Sequence, residues 1–136
     1  MKKAVIIIGI SLCILIIGII GVIKYYMGPT PVNVSKEAEA YVVFKYDDIK
    51  DIYEQLTVEE TQQVTEILDG NVAYYDSPAH GFDDNIGFII GNKRFSVACD
   101  GCPTIKYGDK FFLIDESQIE IIHRIMIRHG AFFPCV

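Results

Sequence analysis

The sequence predicts an α+β protein: an antiparallel β-meander sheet of four to five strands, two or three helices on one face, and one N-terminal transmembrane helix ahead of them. Three observations predict it. Short β-rich runs between residues 86 and 114 are separated by Gly-Asn, Asp-Gly and Gly-Asp turn pairs. Stretches with apolar residues at helical spacing open on capping patterns at Thr57 and Asp115. Residues 4–23 carry no charge and are dominated by Ile, Val and Leu.

At ~1.5 Å rise per residue the uncharged run spans roughly 30 Å, the hydrocarbon thickness of a bilayer. Lys2 and Lys3 precede it; Lys24, Tyr25 and Tyr26 follow it, and tyrosines suit the headgroup layer. A cleaved signal peptide has a shorter apolar stretch and small residues at its cleavage site, whereas this run ends in the bulky Ile23-Lys24-Tyr25-Tyr26-Met27. Cys13 follows Leu12 and lies too early for a lipoprotein acceptor. Residues 1–27 therefore read as a transmembrane signal anchor, with the membrane as partner through residues 4–23. The one apolar run predicts a single pass through the cell membrane, and two lysines and the α-amino group on one flank, against Lys24 on the other, predict its orientation. The N-terminus would be cytoplasmic and the C-terminal domain outside.

Residues 28–35 contain Pro29 and Pro31 and read as a linker; residues 36–136 are long enough for one core and form the expected extracytoplasmic domain. From Lys36 onward nine Lys and Arg face eighteen Asp and Glu, a net of −9. That argues against electrostatic binding of nucleic acid or of an anionic lipid surface.

Residues 41–46 are β-rich and give the first strand. Ile49, Ile52, Tyr53 and Leu56 recur at helical spacing and predict a short helix over 47–56. Thr57 and Glu60 form a capping box, Val58, Thr61, Val64, Ile67 and Leu68 one face, and Gly70 the stop. Residues 71–76 suggest a short strand, and 77–85 a turn-rich loop. Strands follow at 86–90, 93–99, 104–107 and 110–114, with turns at Gly91-Asn92, Asp100-Gly101 and Gly108-Asp109. Asp115 and Gln118 open a last helix with Ile119, Ile122, Ile125, Met126 and His129 near one face, and Gly130 closes it. Residues 131–136 are apolar enough to dock on the sheet.

Chemistry concentrates in Cys99-Asp100-Gly101-Cys102-Pro103. The outer domain also holds Cys135, so one thiol is left over after any single intramolecular disulfide. Three readings stay open. An oxidising compartment favours a disulfide drawn from Cys99, Cys102 and Cys135. His80, Cys99, Cys102 and Cys135 match the Cys₃His ligand set of a structural zinc site. Partly buried thiols that pack as small apolar residues are the third. A thioredoxin-like role is disfavoured, because the motif lies at a β-turn before Pro103 instead of at a helix start. His123 and His129, six residues apart on the last helix, do not share a face and do not suggest a metal site.

No Gly-x-Ser-x-Gly, His-Glu-x-x-His or phosphate loop is present, and the reading is non-enzymatic. Tyr74, Tyr75, Phe82, Tyr107, Phe111, Phe112, Phe132 and Phe133 are too many for one small core, so some are expected to form a recognition patch.

Leu56-Thr57-Val58-Glu59-Glu60, His80-Gly81-Phe82, Ala98 through Pro103, Lys106 through Phe111 and Gly130 through Val136 carry a resemblance. In these pieces the chain resembles a group of small membrane-anchored or secreted bacterial proteins, mainly Gram-positive, marked by Cys-Asp-Gly-Cys-Pro and a C-terminal Phe-Pro-Cys. The group often has a cysteine where His80 stands, so the resemblance implies a four-cysteine pattern from which this chain departs. Exchange of Cys for His keeps a zinc ligand and loses a disulfide partner, which raises the zinc reading. The resemblance brings no activity with it. The function expected is a membrane-anchored extracytoplasmic module that binds a protein or an envelope component. The alternative is a zinc-binding or thiol-based sensor built on His80, Cys99, Cys102 and Cys135.

Overall fold

Residues 40–46 bury Ala40, Val42, Val43 and Phe44, and that strand sets the frame of the domain. A computed structural model describes residues 2–76, 78 and 81–133 of the 136. In chain order its elements are α1 (Lys2–Met27), β1 (Thr30–Pro31), β2 (Ala40–Tyr46), β3 (Lys50–Gln55), α2 (Val58–Leu68) and β4 (Val72–Ala73). β5 (Ile86–Ile90), β6 (Lys93–Val97), β7 (Thr104–Tyr107), β8 (Lys110–Leu113) and α3 (Glu116–Arg128) complete them. The class is α+β, with an antiparallel sheet and an apolar N-terminal helix. The sheet has six strands in the order β3-β2-β5-β6-β7-β8, one more than the four to five expected.

The extra strand is β3, which replaces the helix expected over 47–56. It pairs antiparallel with β2, Tyr41 opposite Gln55 through Tyr46 opposite Lys50. Asp47 takes φ 47° in the connecting turn, a conformation that no helix accepts. Ile52 alone of the strand is buried, while Ile49 and Tyr53 are exposed, so the residues at helical spacing share no buried face. Tyr53 instead stacks on Tyr41 across the ladder, ring centroids 5.0 Å apart. β5 through β8 form the expected meander, and Gly91-Asn92 is a two-residue turn between Ile90 and Lys93. The connection at Asp100-Gly101 is longer than a hairpin turn: residues 98–103 link Val97 to Thr104, and Asp100 Oδ1 accepts the Cys102 N–H at 3.2 Å.

Register separates the two faces of the sheet. One row reads Val42, Phe88, Phe95, Tyr107 and Lys110 across five strands. The neighbouring row, pointing the other way, reads Val43, Gly87, Ser96, Lys106 and Phe111. The first face belongs to the core. Phe44, Phe88, Phe95, Ile105 and Phe112 form one cluster with Val64, Ile67 and Leu68 of α2 and with Ile119, Ile122, Ile125 and Met126 of α3. Each fully buried large side chain of this kind contributes about 1.5–3 kcal/mol relative to exposure. The α2 capping box forms as read: Glu60 N–H donates to Thr57 Oγ1 at 3.2 Å and Thr57 N–H to Glu60 Oε2 at 3.1 Å. At α3 the Asp115 N–H donates to Gln118 Oε1 at 2.8 Å.

The stretch 28–35 is extended, as its prolines require, and it is also part of the core. β1 pairs with β4, Val32 and Val34 are buried, and the Val34 N–H donates to Asp69 Oδ1 at 2.7 Å. α1 by contrast is unburied along residues 6–27, and it is long and apolar enough to cross a membrane.

Candidate functional site

The eight aromatics singled out above divide between core and surface. Phe112 is buried, Tyr107 stacks on Phe95 at 5.0 Å, Phe132 meets Phe44 at 5.1 Å, and Phe133 covers His123 at 4.1 Å. Tyr74 and Tyr75 stay more than half exposed, and Phe82 rests on Phe111 at 5.1 Å on the other side of the sheet.

Tyr74 and Phe111 sit where the sheet ends. β8 is its last strand, and a single antiparallel bridge ties Tyr74 to Phe111. The Tyr74 N–H donates to Phe111 O at 2.8 Å and the Phe111 N–H to Tyr74 O at 2.9 Å. β4 turns away to pair with β1, and among the described residues the ladder stops. The opening between the diverging strands is a groove of about 490 Å³, lined by Val72, Tyr74, Pro78, Phe111 and Leu113, with Asp76, Thr104 and Cys102 among its polar edge. Antiparallel pairing alternates, so Leu113, two residues past Phe111, turns its N–H and C=O to this open side. Its side chain is 72% exposed, unusual for Leu in a strand. The arrangement joins an apolar floor, a tyrosine wall and an outward-facing strand edge, the parts from which extended peptides are recognised.

Loop residues beside the groove are held from the outer face. Asp84 Oδ1 accepts from Lys106 Nζ at 2.7 Å and from Ser96 Oγ at 3.3 Å. The Lys106 hydrogen bond is the main cause that keeps the Asp84 carboxyl below its ordinary range, against an opposing effect of burial. Asp84 is therefore a charged clamp on the sheet and not a titrating group of the site.

Of the proposed zinc ligands, Cys99 and Cys102 lie on the 98–103 connection, both half-buried; Cys102 Sγ is 3.6 Å from Thr104 Oγ1 and lines the groove. His80 and Cys135 lie outside the described residues, as does any disulfide through Cys135. Among the described residues no group of three or more His, Cys, Asp or Glu side chains is placed to hold a metal ion.

A second polar cluster has no local signal in the sequence. His129 bridges two carboxylates: Nδ1 lies 2.9 Å from Glu54 Oε2, and Nε2 lies 3.1 Å from Glu60 Oε2. Arg128 approaches Glu60 Oε1 at 3.5 Å. Burial acts to lower the His129 pKa, but hydrogen bonds and charge from Glu54 and Glu60 outweigh it and raise it above the ordinary imidazole value. Both ring nitrogens are engaged, and the cluster reads as a structural ion pair. His123 is shifted the other way by burial, and its buried Nε2 has no hydrogen-bond partner among the described residues.

No family model, curated protein or solved structure matches the chain.

Proposed function

We propose that the chain is a membrane-anchored, extracytoplasmic and non-enzymatic binding module, and that it takes an extended segment of another protein at the β4–β8 groove. The observation that carries the reading is the groove itself. It combines an interrupted strand ladder, an exposed Leu113 and an exposed Tyr74 at one sheet edge. Main-chain pairing along β8 supplies affinity, and the Tyr74–Phe111–Leu113 surface supplies selection. The apolar α1 serves as signal anchor, single-pass, with the positive N-terminal flank inside and residues after Met27 outside.

Random peptides selected on the full chain in detergent test this. Selected sequences are expected to be extended and apolar or aromatic. Leu113→Arg, on an exposed side chain, is expected to weaken them by roughly tenfold or more, the size of an interface hot spot. Equal binding to wild type and Leu113→Arg moves the site away from the groove.

A zinc-binding or thiol-based sensor is the second reading, favoured by the placement of Cys99 and Cys102 on one short connection that reaches the groove. A native mass spectrum of the full chain, purified without reductant or chelator, separates the two. One added zinc, lost with Cys102→Ser, puts the sensor reading first. A deficit of two hydrogens without metal makes the cysteines a structural staple.

A further inference from the structure

The row Val42, Phe88, Phe95, Tyr107 and Lys110 is apolar until its last member, which places an ammonium where the core pattern calls for an apolar residue. Lys110 is 8% exposed. Its Nζ donates to Gly28 O at 2.7 Å and to Thr30 Oγ1 at 2.5 Å, both neutral oxygens. Among the described residues no carboxylate pairs with it, and a buried charge without a counter-charge is costly. Two of its three donors are used. The side chain stands in the shared wall of two grooves. One, of about 470 Å³, lies between β1 and the turns at Asn92 and Gly108; the other, of about 520 Å³, lies between β1 and the end of α1.

These two grooves reverse the charge of the domain. Their linings hold four cations, Lys24, Lys93, Arg94 and Lys110, against the single carboxylate of Asp109. Lys93 donates to Asn33 O and Arg94 to Asp84 O, both neutral carbonyls, although the Asp84 carboxylate is near enough to Arg94 to feel its charge. The net charge of −9 beyond residue 35 conceals this basic corner. Its position is equally specific. Lys24, Tyr25 and Tyr26 belong to the last turns of the apolar helix, and both tyrosines are strongly exposed. If the helix spans the bilayer, the grooves lie at headgroup depth, and the anion present there is a lipid phosphate.

We propose that this corner binds the phosphate of an anionic phospholipid in the leaflet from which α1 emerges, with Lys110 as the buried anchor and Lys24, Lys93 and Arg94 around it. The inference rests on the membrane-anchor reading above. It has a consequence for the candidate groove. Lys110 and Leu113 are the two ends of β8, so a headgroup held at one end fixes the height and tilt of the peptide groove at the other.

The test uses the full chain in nanodiscs of phosphatidylcholine mixed with phosphatidylglycerol, with lipids retained by the ejected protein identified by native mass spectrometry. Retained lipid is expected to be enriched in phosphatidylglycerol over the bulk. Lys93→Gln with Arg94→Gln is expected to cut that enrichment on the order of tenfold, given the attraction of each cation near an anionic surface. Lys45→Gln with Lys50→Gln removes the same charge at the opposite end of the sheet, on the β2–β3 hairpin, and is expected to leave it unchanged. Failure to enter the discs overturns the anchor reading and this inference with it. Entry without enrichment, or equal loss in the two double variants, overturns this inference alone. Tight binding of inorganic phosphate by the detergent-solubilised chain, erasing the lipid preference, assigns the corner to a soluble anion and overturns the headgroup assignment.

Discussion

Gly87→Ala is expected to be among the most disruptive single-methyl changes in this chain. Gly87 is in the middle of β5, opposite Val43 on one side and Ser96 on the other, and takes φ 153°. A Cβ built there would lie 1.9 Å from Phe95 O and 2.9 Å from Ser96 Cα. Both obstacles are backbone of the neighbouring strand, so no side-chain rotation relieves them. The β5–β6 ladder must shift, and with it Phe88 and Phe95, two of the largest fully buried side chains. Strain and overpacking together cost roughly 3 kcal/mol or more, a large part of the ~5–15 kcal/mol by which domains are stable. A fall in Tm of about 15 °C follows for a domain of this size. The chain has no Trp, so the melt is best followed by near-ultraviolet circular dichroism of its tyrosines. Gly70→Ala is the matched control. Gly70 has φ 75° but nothing within 4 Å of the added carbon, and it is expected to cost only about 1 kcal/mol. Similar losses in the two variants would mean that the contact with Phe95 O is not the cause.

What could be read from the sequence was whatever neighbouring residues decide among themselves. Thr57 and Glu60 are three apart and announced their box; Ile86 through Ile90 and the Gly91-Asn92 pair announced a strand and a hairpin. The segment 50–55 did not announce itself, because Ile49, Ile52, Tyr53 and Leu56 fall at helical spacing and show no alternation of apolar and polar residues. The outcome was decided by β2, which offered Tyr41 and Phe44 as ladder partners. The groove was only half legible. Tyr74 and Phe111 stood out as surplus aromatics, but they are 37 residues apart, and no local pattern places one against the other or stops the ladder there. The basic corner was hidden by averaging: a net charge describes the chain, while Lys24, Lys93, Arg94 and Lys110 meet only through the fold.

Glu60→Ala is the second large effect, and it separates local from long-range roles of one side chain. As a capping residue alone, Glu60 would be worth about 1 kcal/mol. It is in fact nearly buried, and Oε2 accepts from Thr57 N–H and Thr57 Oγ1, each at 3.1 Å, while facing His129 Nε2. Removing it leaves His129, itself mostly buried, without its better-shielded partner, since the Glu54 side chain is 59% exposed and its ion pair is screened. A loss of roughly 3 kcal/mol is expected. The pH dependence carries a signature that a lost cap does not. Folded His129 holds its proton more tightly than the unfolded chain does, so its contribution is complete below about pH 6.5 and is lost as pH rises through the raised folded value. Burial acts to raise the Glu60 pKa, but His129 and Thr57 outweigh it and hold the carboxyl below its ordinary range. The Glu60 contribution is therefore present above that ordinary range and is lost as pH falls through the lowered value. His123 opposes His129: half-buried and held below its ordinary value, it withdraws stability as pH falls from about 6.5. His129→Gln should thus erase the decline of Tm just above neutral pH while the acid limb, to which Glu60, Asp84 and His123 contribute, persists. An unchanged alkaline decline in His129→Gln would place its origin elsewhere and return Glu60 to the role of a simple cap.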